Sequence, residues 1–90
     1  MSITVSLPTI LRPLADNLRR VETTGTQLGA VIDNLETAHP GLKARLIEDG
    51  ALRRYINIYV NDEDVRFLAG LETELSDGDR IDILPAVAGG

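Results

Sequence analysis

One stretch of this chain has the clearest helical spacing, and stretches with strand spacing flank it on both sides. In TTGTQLGAVIDNLETAHPG, residues 23–41, Leu28, Val31, Ile32 and Leu35 recur at i, i+3, i+4 and i+7 and form one apolar stripe. Thr24 or Thr26 stands where an N-cap belongs, and Gln27 lies three residues after Thr24, as a capping box requires. Pro40 and Gly41 close the segment. His39 beside them suits a helix C-terminus, where cations are favoured. A lone helix must bury its stripe against another layer. The rest of the chain has to supply a sheet.

It has the pattern to do so. SITVSLP alternates, with Ile3, Val5 and Leu7 on one face and Ser2, Thr4 and Ser6 on the other. NLRRVETTG reads as a second, weaker strand, and the prolines of PTILRP bracket the connection between them. LKARLIEDG adds a short helical turn that buries Leu42 and Leu46. YINIYVND returns to period two, with Ile56, Ile58 and Val60 opposite Tyr55, Asn57 and Tyr59. Asn61 and Asp62 offer a turn, after which EDVRF runs back as a short partner. LSDGDRIDILP carries a hairpin turn at Asp77-Gly78 and a last strand with Ile81 and Ile83 inward. The order strand, strand, helix, strand, short strand, strand predicts an α+β domain over residues 1–84, followed by a tail, 85–90.

Several functions are argued against at this stage. Ninety residues make one domain with no room for a deep catalytic cavity beside its core. A net charge of −5, with eight arginines and one lysine scattered along the chain, does not suit nucleic acid. Without cysteine there is no disulfide or thiolate chemistry. Asp62, Glu63 and Asp64 cluster, but they lack the spaced ligands and central glycine of a calcium loop, so a solvated acidic turn is expected and no metal site. TTGTQLG matches neither a phosphate loop nor a dinucleotide fingerprint. No apolar run approaches the roughly 20 residues of a membrane span, and MSITVSLPTI has no signal-peptide pattern. A cytoplasmic, non-membrane protein is expected, and not an enzyme.

The remaining reactive group is the α-carboxylate of Gly90. Pro85 holds its φ and cannot donate to a ladder, and Ala86, Val87, Ala88, Gly89 and Gly90 are small enough to thread a narrow channel in another protein. The glycines permit close backbone approach there. A carboxylate is a poor electrophile, so the partner must activate it, for instance with ATP.

INIYVNDEDVRF, LSDGDRIDILPAVAGG and TQLGAVIDNLETAHPGL together resemble the small ubiquitin-like sulfur carriers of the ThiS and MoaD family, across nearly the whole chain. The most specific element is the DGD turn, a strand, then Pro-x-Val-x-Gly-Gly. VSLPTILRP, NIYVNDEDVRF and ILPAVAGG are most similar to the branch that serves cysteine biosynthesis. MoaD-type tails commonly have a second proline where this chain has Ala86, which favours that branch.

The resemblance implies a β-grasp fold, one main helix packed on a mixed sheet of four to five strands, with the first and last strands adjacent and parallel. It implies no bound cofactor. An adenylating enzyme of the ubiquitin-activating type uses ATP to join Gly90 to AMP, and a sulfur donor then converts the adenylate to a thiocarboxylate. A cysteine synthase of the CysM type joins the thiocarboxylate to an activated serine, and after an S-to-N acyl shift a zinc metalloprotease releases cysteine. Molybdopterin and thiamine synthesis are the alternative destinations of the sulfur. By the same resemblance Arg12 and Leu84 match partner contacts, and Tyr59 shares the face of Leu84. Two rivals remain: a modifier that forms isopeptide bonds with lysines, and a plain binding module with an incidental tail.

Overall fold

The structure, a computed structural model, describes residues 2–86. The first alternating run makes β1 (Ile3–Ser6), with Ile3 and Val5 buried and Thr4 and Ser6 half-buried. β2 (Arg20–Thr23) pairs with it antiparallel, Val21 opposite Val5. The connection expected around PTILRP is itself structured, as a 3-10 helix over Thr9–Ala15 that buries Leu11 and Ala15.

α1 (Leu28–Ala38) buries the predicted stripe, but it starts later than the threonines would place it. Neither Thr24 nor Thr26 caps it; the N-cap is Gln27, whose side chain makes no cap bond. Tertiary pairing explains the difference. Gln27 bridges to Glu74, and the Leu75 N–H donates to the Thr26 carbonyl at 2.9 Å, which holds this segment extended. The Leu28 N–H then finds the Thr73 carbonyl at 3.0 Å instead of a side chain.

Just upstream, Gly25 has φ +152°, and a Cβ there would stand 2.8 Å from Val31 Cγ2. Gly25→Ala should therefore destabilise the protein by about 1–3 kcal/mol, the usual cost of overpacking. An unchanged denaturant midpoint would show that the loop yields freely.

α2 (Leu42–Leu46) buries Leu42 and Leu46 completely, as expected. The Glu36 carboxylate, projecting from α1, accepts the Gly41 N–H at 3.1 Å and the Lys43 N–H at 2.9 Å, satisfying amides at the start of a five-residue helix. These bonds, that from Lys43 foremost, hold the Glu36 pKa below its ordinary value. A depressed carboxylate pKa gives stability that is present above the unfolded-state value and lost as pH falls through the folded one. Glu36→Gln should flatten the stability-against-pH curve below the ordinary glutamate pKa of about 4.3. Acid melts with identical slopes for the two proteins would contradict this.

Two further short strands, β3 (Ile47–Glu48) and β4 (Ala51–Leu52), form a separate hairpin around Asp49 and Gly50, at φ +53° and +78°. The sequence reading missed them. Strands of two residues are too short to show a period, and only the Asp-Gly pair advertised the turn.

β5 (Ile56–Val60) buries Ile56, Ile58 and Val60. Asn61 and Asp62, at φ +49° and +72°, turn the chain into β6 (Glu63–Asp64). The returning segment pairs over two residues and then coils into a 3-10 helix, Val65–Phe67. There the Arg66 guanidinium donates to the Ile56 carbonyl at 2.7 Å and to Asn57 Oδ1 at 2.6 Å, covering an edge that a longer strand would have paired.

β7 (Arg80–Pro85) lies at the centre of a five-stranded sheet of order β2-β1-β7-β5-β6, parallel to β1 and antiparallel to β5. The turn at Asp77-Gly78 is therefore not the hairpin expected: the segment before it pairs with residues 26–28, through the Glu74 bridge to Gln27, and not with β7. β7 instead matches its inward residues to the two longest alternating runs, Ile81 beside Val5 and Ile83 beside Ile58. Those four residues close over Leu28, Val31, Ile32 and Leu35 in one core. This is the β-grasp arrangement.

Candidate functional site

Because β7 alternates, burying Ile81 and Ile83 turns Asp82 and Leu84 to the opposite face of the sheet. The register sets Asp82 beside Ser6 on one side and Tyr59 on the other, and Leu84 beside Asn57. Arg12 reaches the same region from the 3-10 helix after β1, where its Nε–H donates to the Leu7 carbonyl at 3.1 Å. Ser6, Pro8, Arg12, Tyr59, Asp82 and Leu84 together line a shallow depression of about 430 Å³.

The three residues singled out as partner-facing, Arg12, Tyr59 and Leu84, thus come together on one surface. Leu84 is 48% exposed, a large apolar side chain open to solvent on this surface.

Sequence reasoning missed the charges at the rim. Arg80 holds Asp62 at 2.8 Å through Nη2 and Asp82 at 3.3 Å through Nε. The hydrogen bond with Asp62 is the foremost cause that raises the Arg80 pKa. The Arg-x-Asp spacing on β7 was a visible signal, but Asp62 joins it only through the β5–β6 turn. The acidic cluster is engaged in that turn: Asp62 pairs with Arg80, and the Asp64 side chain accepts the Arg66 N–H at 2.8 Å. Among the described residues no group of three His, Cys, Asp or Glu could hold a metal ion, and no helix is long and apolar enough to cross a membrane.

Pro85 was expected to end ladder donation, yet β7 includes it, opposite Ile56, and the Ala86 N–H donates to the Tyr55 carbonyl at 2.8 Å. Successive amides face opposite edges of a strand, so the position without an N–H faces away from β5. β1 pairs with β7 only as far as Asp82, and no bond is lost there. The body thus holds the chain two residues past the boundary expected at 84. Val87, Ala88, Gly89 and Gly90 lie outside the described residues. Four residues reach at most about 14 Å, so whatever acts on Gly90 must come that close to Ala86.

Comparison with known proteins gives this geometry its context. The ThiS family model matches residues 5–90. The sulfur carrier protein CysO of Mycobacterium tuberculosis is 54% identical, with both chains covered completely. CysO in the crystal structure of the Amycolatopsis orientalis BexX/CysO complex is 55% identical with a TM-score of 0.93, covering 98% of this chain and 99% of that one. Small archaeal modifier protein 3 of Haloferax volcanii is 42% identical over 79% of this chain and 76% of its own.

Proposed function

The chain belongs to the ThiS family, and we propose that it is a sulfur carrier of the CysO type, loaded at the α-carboxylate of Gly90. The observation that carries this reading is the likeness to CysO over the whole length of both chains. The geometry supports it. β7 is the central strand and is paired on both sides, so the fold holds the strand leading to Gly90 firmly, and the chain is a handle rather than a catalyst.

The chemistry follows from the carboxylate. A Gly90 oxygen attacks the α-phosphorus of ATP in an adenylating partner, and pyrophosphate leaves. Hydrosulfide from a sulfide source then attacks the acyl carbon, AMP leaves, the S–H proton is lost to solvent, and the carboxylate has become a thiocarboxylate. Its sulfur is a good nucleophile at neutral pH. It displaces the leaving group of an activated serine on a cysteine synthase, the acyl group shifts from sulfur to nitrogen, and a metalloprotease hydrolyses the new amide. Cysteine is released and the Gly90 carboxylate restored. Arg12, Tyr59 and Leu84 dock the partners, and residues 85–90 act as the tail they receive. Leu84→Asp should therefore weaken binding to the adenylating enzyme at least tenfold while leaving the melting temperature nearly unchanged. Unaltered affinity would remove Leu84 from the interface.

A second reading, a modifier conjugated to lysines, is favoured by the likeness to the archaeal modifier. Intact-mass spectrometry of protein from its own cell separates the two. A carrier shows one oxygen replaced by sulfur, and a modifier shows the tail attached to lysines of other proteins. Neither product would sink both readings.

A further inference from the structure

A second groove lies beside Pro85 and Ala86, the last described residues. Ile10 and Tyr55 stand 66% and 72% exposed there, among the most exposed large apolar side chains of the described residues. With Arg45, Arg53, Pro85 and Ala86 they enclose about 340 Å³. Its chemistry differs from that of the Arg12–Leu84 surface. Among the described residues no carboxylate lines it, although the chain carries 14 acidic residues against nine basic ones. Arg53 is anchored by its Nε–H to the Ala44 carbonyl at 2.8 Å and lies 3.6 Å from Glu48. Arg45, exposed on α2, makes no ion pair among the described residues.

A cationic, apolar groove on an acidic protein is complementary to a segment of the opposite character. Its position adds a second constraint. Ala86 forms one wall, so any protein that takes the following four residues into its active site comes within about 14 Å of this groove.

We propose that the groove docks an acidic segment with an apolar anchor on the adenylating partner, and so contributes affinity separately from the Arg12–Leu84 surface. The choice of partner rests on the carrier reading, and the groove's character does not. Ile10 and Tyr55 supply the apolar contact, and Arg45 supplies the charge that meets the partner's carboxylates.

Calorimetric titration of the full-length chain into the adenylating enzyme tests this, together with thiocarboxylate formation followed by mass spectrometry. Arg45→Glu and Tyr55→Ala should each raise Kd and KM about tenfold while kcat stays within about twofold. Arg19→Glu, on an exposed residue just before β2 at the far edge of the sheet, should change neither beyond about twofold. Added salt should weaken the unsubstituted chain more than Arg45→Glu, because charge pairs at an interface rim are screened. If Arg45→Glu and Tyr55→Ala bind as tightly as Arg19→Glu, the groove is not a docking surface. An unsubstituted chain that binds but forms no thiocarboxylate would count against the carrier reading alone, since the Kd comparison still decides the groove.

Discussion

A chain extended by one residue beyond Gly90 should fold with an unchanged melting temperature and form no thiocarboxylate when given ATP, the adenylating partner and a sulfide source. The body's last described hydrogen bond to the chain is made by Ala86, so the added residue touches none of the packing described above. It does displace the carboxylate by up to about 3.6 Å along the chain, and misplacement of a reacting atom by about 1 Å already costs on the order of 100-fold in rate. Gly90→Ala should fold normally and react slowly, because a Cβ obstructs approach where bare backbone is accommodated. Lys43 forms an ion pair with Asp33 at 2.6 Å on the surface, and Lys43→Arg should react like the unsubstituted chain. One mass spectrum per variant gives the answer. Sulfur found on the extended chain, without prior trimming, would show that Gly90 is not the site.

Ile58→Ala should have the opposite signature, with full chemical competence in whatever remains folded and a large loss of stability. Ile58 is 1% exposed, sits mid-strand in β5, and faces Ile83 across the ladder in the core that holds the α1 stripe. Truncations at such sites cost about 2–5 kcal/mol, part from lost apolar burial and part from the cavity left behind. Against a total stability of roughly 5–10 kcal/mol for a small domain, this would bring a sizeable unfolded population within reach of mild denaturant. A loss below about 1 kcal/mol, less than a core isoleucine should give, would mean that the β5 side chains face the other way.

The partner-facing surface was only partly legible. Leu84 could be placed by counting from Ile83, since alternation holds within a strand wherever the strand sits. Tyr59 could be assigned a face in the same way. That the two lie near each other with Arg12 depends on β7 running between β1 and β5, and no single segment encodes that neighbourhood. Asp62 and Arg80 show the limit more sharply. They are 18 positions apart and meet only because the β5–β6 turn delivers Asp62 to the end of β7. The groove around Ile10, Tyr55 and Arg45 left no trace in the sequence, because its walls come from four separate stretches of chain.

What the sequence determined alone is everything that a local period can carry: the inward faces of β1, β5 and β7, the stripe of α1, the burial of Leu42 and Leu46 in α2, and the small residues leading to Gly90. Tertiary structure decided which strands are neighbours, where α1 begins, and that Pro85 pairs within the sheet. The capping box at Thr24 was locally sound and was still not formed. A side-chain cap contributes about 1 kcal/mol, and the extended pairing of Thr26 and Gln27 with Glu74 and Leu75 offers backbone hydrogen bonds and the burial of Leu75 together. The same competition placed β7 in the middle of the sheet. Two long alternating partners bury both edges of a strand, whereas the nearby Asp77-Gly78 turn offered only a short neighbour with a single bridge.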